Sequence, residues 1–138
     1  MATRYIVCNT RDVRQGYVAG TGANQTTSGT DVLLLSGCSV TLVPAVASSV
    51  TVVANLDIAP NTAGDIFVFN IELDSVVQKF GVIQLGATGR SVISVNWTMA
   101  LSAASHVIRL SVQRVTGTGT ARCRQTNGGF SWILMPVL

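Results

Sequence analysis

The chain has 138 residues, a length that suits one domain with one core. Hydrophobic residues make up 48% and charged residues only 11%, against about 25% charged in an ordinary soluble domain, so part of the surface is expected to be hidden in an assembly. Net charge is +3 and eight of the nine basic residues are Arg, Lys79 being the exception; they form no run and no aromatic residues interleave with them, which argues against nucleic-acid binding.

In chain order, "MATRYIVCNTRDVRQ" has no apolar signal core. No later stretch approaches the roughly 18 apolar residues of a membrane span. Synthesis in the cytoplasm and no membrane partner are the expectations. Residues 1–29 carry one short apolar run, three Arg and then Gly, Thr, Asn and Gln. They read as an N-terminal arm and lead-in, with 30–138 as the folded domain. Tyr5, Ile6 and Val7 have strand propensity, and Arg4, Arg11 and Arg14 supply charge for a partner. The alternative is that this segment holds the first strand and loop of the domain.

From residue 31 the signal is period two, that of half-buried strands. Candidate strands are 31–37, 38–43 and 50–58, followed by the turn "APNTAGD" at 59–65. "DIFVFNIEL" sets Phe67, Phe69, Ile71 and Leu73 on one face and Ile66, Val68, Asn70 and Glu72 on the other. A strand at 75–85 and a turn "GATGR" at 86–90 come next. "RSVISVNWTM" groups Ile93, Val95, Trp97 and Met99. "MALSAASH" allows one short turn at most, and "HVIRLSVQRV" groups Ile108, Leu110 and Val112. After "GTGT" at 117–120 comes "TARCRQ" at 120–125. "NGG" at 127–129 suits a tight hairpin. The last strand, "FSWILMPVL", is apolar on both faces: Trp132, Leu134 and Leu138 on one, Ile133, Met135 and Val137 on the other. About eight or nine strands with Gly-rich turns and no helical period predict an all-β, antiparallel two-sheet jelly-roll sandwich. Phe67, Phe69, Ile71, Val95, Trp97, Ile108, Leu110 and Val112 are its expected core.

Chemistry is sparse. Cys8, Cys38 and Cys123 fit no zinc or CxxC spacing and read as free thiols in a reducing compartment. His106 is the single histidine, and nothing adjacent in sequence supplies the acid and nucleophile that a His-based site needs. Glu72 and Asp74 alternate and are expected to share a face, paired with Arg109 or Arg114. No catalytic residue, metal ligand or cofactor is expected.

Two stretches carry a family resemblance: "NQTTSGTDVLLLSGCSVTLVPAVASSVTVVANLDIAPNTAGDIFVFNIELD" and "SVISVNWTMALSAASHVIRLSVQRVTGTGTARC" with the apolar last strand. A strand before a Pro, a "TAGD" turn before an aromatic strand, and the hairpin around His106 occur in this order. The pattern, over roughly 24–138, resembles the small jelly-roll domains of tailed-bacteriophage virion proteins, found in head decoration proteins and tail-fibre tips. Their architecture is similar to tumour-necrosis-factor and complement-head domains. The resemblance implies a non-enzymatic homotrimeric decoration protein on the virion surface, bound to the major capsid protein. The alternative is a receptor-binding tip of a tail fibre or spike. It also implies that the last strand lies near the threefold axis, so Trp132, Leu134 and Leu138, or else Ile133, Met135 and Val137, form the trimer interface. Arg4, Tyr5, Ile6, Val7, Arg11 and Arg14 would be the capsid-binding arm.

Overall fold

The computed structural model describes residues 5–8, 13–27, 29–86 and 88–137. These hold ten strands: β1 (Tyr5–Cys8), β2 (Arg14–Ala19), β3 (Gln25–Thr26), β4 (Leu33–Pro44), β5 (Ser48–Pro60), β6 (Ile66–Leu73), β7 (Val76–Gln84), β8 (Ser91–Leu101), β9 (His106–Thr116) and β10 (Ala121–Pro136). The first sheet runs β1-β4-β9-β6-β7 and the second β2-β10-β5-β8, with β3 pairing β10 alongside. The pairs β6–β7, β5–β8, β4–β9 and β2–β10 nest one outside the next and fall alternately in the two sheets. That is the jelly roll expected from the strand pattern, with eight strands in the nest. All these pairs are antiparallel; β1 joins the edge of β4 in parallel.

The period-two pattern becomes a single core between the sheets. Phe67, Phe69 and Ile71 of β6 and Ile108, Leu110 and Val112 of β9 meet Val50, Val52, Ala54, Leu56 and Ile58 of β5 and Phe130, Trp132 and Leu134 of β10, all buried. Val95 is buried as expected. Trp97 is not fully enclosed: it packs against the core from β8, an edge strand open on one side. The Lys79 ammonium lies 5.6 Å from its ring centroid. Glycine is required where strands crowd. A Cβ on Gly16 would come within 2.7 Å of the Trp132 ring, and one on Gly81 within 2.7 Å of Val95.

Three expectations change. Residues 31–37 and 38–43 belong to one strand, β4, whose pairing with β9 shifts register between Leu34 and Ser39; Gly37, at φ 76, sits in that shift. "NGG" makes no hairpin. β10 runs through it and stays on β5, with three more residues on β10 than on β5 between the pairs Arg124–Asp57 and Gly129–Asn55. The bulge works because Gly129, at φ 155, is unhindered by a side chain. The segment read as an arm supplies β1, β2 and β3, and β2 is the first strand of the nest. A boundary at 29/30 would therefore cut the jelly roll. Tyr5, Ile6 and Val7 pair with Thr41, Leu42 and Val43 of their own chain rather than awaiting a partner's sheet edge. Arg14 is half-buried opposite Leu134. Arg4, Arg11 and Leu138 lie outside the described residues.

The two tryptophans should separate in a urea denaturation series. Trp132→Ala, removing a fully enclosed ring, should cost about 3–5 kcal/mol, and Trp97→Ala clearly less. Equal costs would mean that Trp97 is as enclosed as Trp132.

Candidate functional site

Alternation along β10 decides what the last strand offers. Phe130, Trp132 and Leu134 are buried inside the chain, whereas Ile133, Met135 and Val137 are 40%, 42% and 60% exposed. Trp132 and Leu134 are therefore spent on the sandwich core and have no surface left for a partner. The exposed set belongs to a wider face. Gln15, Tyr17 and Ala19 of β2, Ser131, Ile133 and Met135 of β10, alternate residues 49–55 of β5 and 94–100 of β8 all point away from the core. Not one of these described positions carries an acidic or basic side chain.

Register places the apolar members side by side. Ile133 lies opposite Thr51, Ser131 opposite Val53, and Ser131 also opposite Tyr17 across β2. Tyr17 is 61% and Val53 45% exposed. The polar groups among them partly satisfy each other: Thr51 Oγ1 and Thr98 Oγ1 are 2.9 Å apart, and the Ser94 hydroxyl donates to Asn55 Oδ1 at 2.5 Å. The patch measures roughly 15 by 20 Å from strand and residue spacings. That is about 300 Å², comparable with the largest patch on an ordinary small protein, and its distinguishing feature is the absence of charge.

Charge returns only at the far end of this sheet. Asp57 is fully buried and takes Arg90 Nε at 2.8 Å and Asn127 Nδ2 at 2.9 Å. The Arg90 hydrogen bond, assisted by Asn127 and the field of Arg124, outweighs burial and holds the Asp57 carboxyl below the usual carboxylate range. The outer face of the first sheet differs again. Arg109 Nε donates to Glu72 Oε2 at 2.7 Å, Ser111 donates to the same carboxylate, and Asn70 Nδ2 donates to Ser111 Oγ at 3.2 Å. Glu72 thus has the Arg109 partner expected of it. Exposed Phe80, Val82 and Leu34 lie on the same sheet around this closed network.

Asp74 does not share the Glu72 face. It sits in the β6–β7 turn at φ 51 and reaches His106, whose Nδ1 lies 2.8 Å from Asp74 Oδ2. Ser102 Oγ lies 3.1 Å from His106 Nε2. Sequence reading missed this trio because its members lie 28 and 4 residues from one another along the chain and meet only when the two turns stack. The order of contacts is that of a nucleophile–base–acid triad, but three features make it a pin between turns. The Asp74 side chain is 46% exposed, whereas an orienting carboxylate works from a buried site. Ser102's own carbonyl is 3.3 Å from Nε2 and competes with the hydroxyl. The nearby Ala104 N–H already donates to that carbonyl at 2.9 Å. Asp74 meanwhile ties the start of β9: its Oδ1 accepts from Val107 N at 2.8 Å, and its N–H donates to Val107 O at 2.9 Å. Burial would raise the Asp74 carboxyl; the His106 and Val107 hydrogen bonds overcome it and hold the group low. The two described thiols are buried. Burial pushes Cys38 up to about 11 and Cys123 up to about 12, and both are free; the Cys8 side chain is outside the described part. Among the described residues no cluster of three or more His, Cys, Asp or Glu could hold a metal.

No family model matches the sequence, and no curated protein matches it. Solved structures do. A chain of infectious bursal disease virus, Gt strain, superposes with a TM-score of 0.51 at 11% identity, over 94% of this chain and 35% of its own. A chain of T=1 particles derived from infectious bursal virus gives 0.51 at 12% identity, over 94% and 37%. The insecticidal delta-endotoxin Cry8Ea1 of Bacillus thuringiensis gives 0.44 at 9%, over 99% and 26%, below the level of a shared fold. The chain spans about a third of the length of the virus chains it matches. At these identities the likeness is one of fold.

Both lowered carboxyls add stability that is complete above the unfolded value, about pH 4, and is lost as pH falls through their folded values. Acid titration followed by circular dichroism should show this limb, and Asp57→Asn should flatten it while lowering stability at pH 7. A fluorophosphonate probe should leave Ser102 unmodified by mass spectrometry. A covalent adduct on Ser102 would overturn the pin and make the trio a working nucleophile.

Proposed function

We propose that the chain is a structural, non-catalytic subunit of a virus particle and that it self-associates through the outer face of the second sheet. The observation that carries this reading is the face itself: at 15–19, 49–55, 94–100 and 131–135 four neighbouring strands present only uncharged side chains outward, with Tyr17, Val53, Ile133 and Met135 open to solvent in the single chain. Charge depletion with aromatic and Met enrichment is the composition of an interface centre. The sandwich shared with two virus-particle chains supports the class of role, through fold analogy.

The finer reading is a homotrimer seated on a bacteriophage capsid as a decoration protein, made in the host cytoplasm and held by the major capsid protein. The phage-like sequence pattern supports it. Ile133, Met135 and Val137 are then the trimer contacts from the last strand. Arg14 is taken up by β2, which leaves Arg4 and Arg11, ahead of it, to pair with capsid carboxylates.

Light scattering of the purified protein should give three times the 14.4 kDa chain mass. Ile133→Glu or Met135→Glu places a charge where the contact must be dry and should weaken association at least about ten-fold, the effect of roughly 1.4 kcal/mol. The urea midpoint of the dilute monomer should stay unchanged. A wild-type protein that remains monomeric at micromolar concentration would contradict the proposal.

A further inference from the structure

At the charged end of the second sheet the surface folds into a cavity of about 300 Å³, lined by Thr26 of β3, Ala59 at the end of β5, Asn61, Thr120, and Arg122 and Arg124 of β10. Arg122 and Arg124 alternate along the strand and so project from one face. Among the described residues neither guanidinium has a hydrogen-bond partner, and Arg124 Nε is buried without an acceptor. The neighbouring carboxylate cannot serve them, since Asp57 is already engaged by Arg90 and Asn127. Arg90 and Arg124 thus stand beside the Asp57 carboxylate, and Arg122 lies two residues further along β10, opposite Ala59.

We propose that this cavity binds a sugar bearing a carboxylate. Guanidinium forks match a carboxylate in plane and in charge, which accounts for the two arginines. The rest of the lining suits hydroxyl groups. Thr26 and Thr120 bring side-chain hydroxyls, and Asn61 is held by Thr120 N donating to its Oδ1 at 2.7 Å, which leaves its Nδ2 hydrogens to donate. The volume is at the small end of ligand pockets, about 300–1,000 Å³; a bare oxyanion would fill only a fraction of it. The site does not depend on the assembly reading. Arg122 pairs with Ala59 and Ile133 with Thr51, so eight residues, about 26 Å of strand, separate it from the centre of the uncharged face.

Isothermal titration of the 138-residue chain at low salt should detect saturable binding of N-acetylneuraminate or glucuronate, roughly millimolar as for small polar ligands on open sites. Their methyl esters should bind at least about ten-fold more weakly, and Arg122→Gln and Arg124→Gln should each lose about ten-fold, the effect of one charge-assisted contact. Both variants should keep the wild-type urea midpoint. The proposal is overturned if neither sugar acid binds, or if the arginine variants bind as well as wild type. It is equally overturned if inorganic phosphate or acetate binds as tightly as the sugar acids, which would mark a plain oxyanion site, or if a glutamate-rich peptide binds more tightly than either, which would mark a protein contact.

Discussion

The Trp132 indole lies against the β2 backbone at Gly16, where the absence of a Cβ lets the ring close on the strand. That contact, with Phe130 and Leu134 on either side, locks β10 into register with both β2 and β5. Because side chains alternate, one register fixes everything on the opposite side. Ile133 and Met135 must point outward and Tyr17 must stand beside Ser131; across the bulge the alternation of β10 reverses, and there Arg122 and Arg124 are the outward pair. A slip by one residue would exchange the core for the surface.

A face built this way is a poor partner for water. Its hydroxyls and amides are partly paired among themselves across strands, and the exposed Tyr, Ile, Met and Val between them gain from being covered. At about 25 cal/mol per Å² of apolar surface, covering some 300 Å² of which about half is apolar would contribute roughly 4 kcal/mol per face before association and ordering costs are subtracted. That is enough for assembly only if several faces meet or the contact extends beyond the patch, as a threefold arrangement allows. The outer face of the first sheet also exposes apolar side chains, Phe80, Val82 and Leu34, but around a polar centre. There Glu72, Arg109, Ser111 and Asn70 form a closed network that needs no partner.

The sandwich was legible because period two is a local signal: "DIFVFNIEL" and "HVIRLSVQRV" declare their inner faces within ten residues. Where structure depends on distant pairing, local reading failed. "NGG" has hairpin chemistry, yet β5 continues alongside it and turns it into a bulge. Arg14 to Ala19 alternates weakly, since Gly16 and Ala19 give little hydrophobic contrast, so the first strand of the nest read as a linker. Which side of "WILMPVL" faces inward was undecidable while both sides were apolar; packing against Gly16 settled it. The Asp74–His106–Ser102 trio and the arginine cavity draw on residues from separate strands and turns, which no local pattern brings together.

Hydroxyl-radical footprinting across a concentration series tests the covered face most directly, because it reads side chains one by one on the intact protein. Tyr17 and Met135 should be protected at micromolar concentration and become reactive on dilution, while Phe80, on the outer face of the first sheet, reacts throughout. If Tyr17 and Met135 are modified at the rates their exposure in the single chain implies, at every concentration, the second sheet's outer face is bare in solution and the account is wrong.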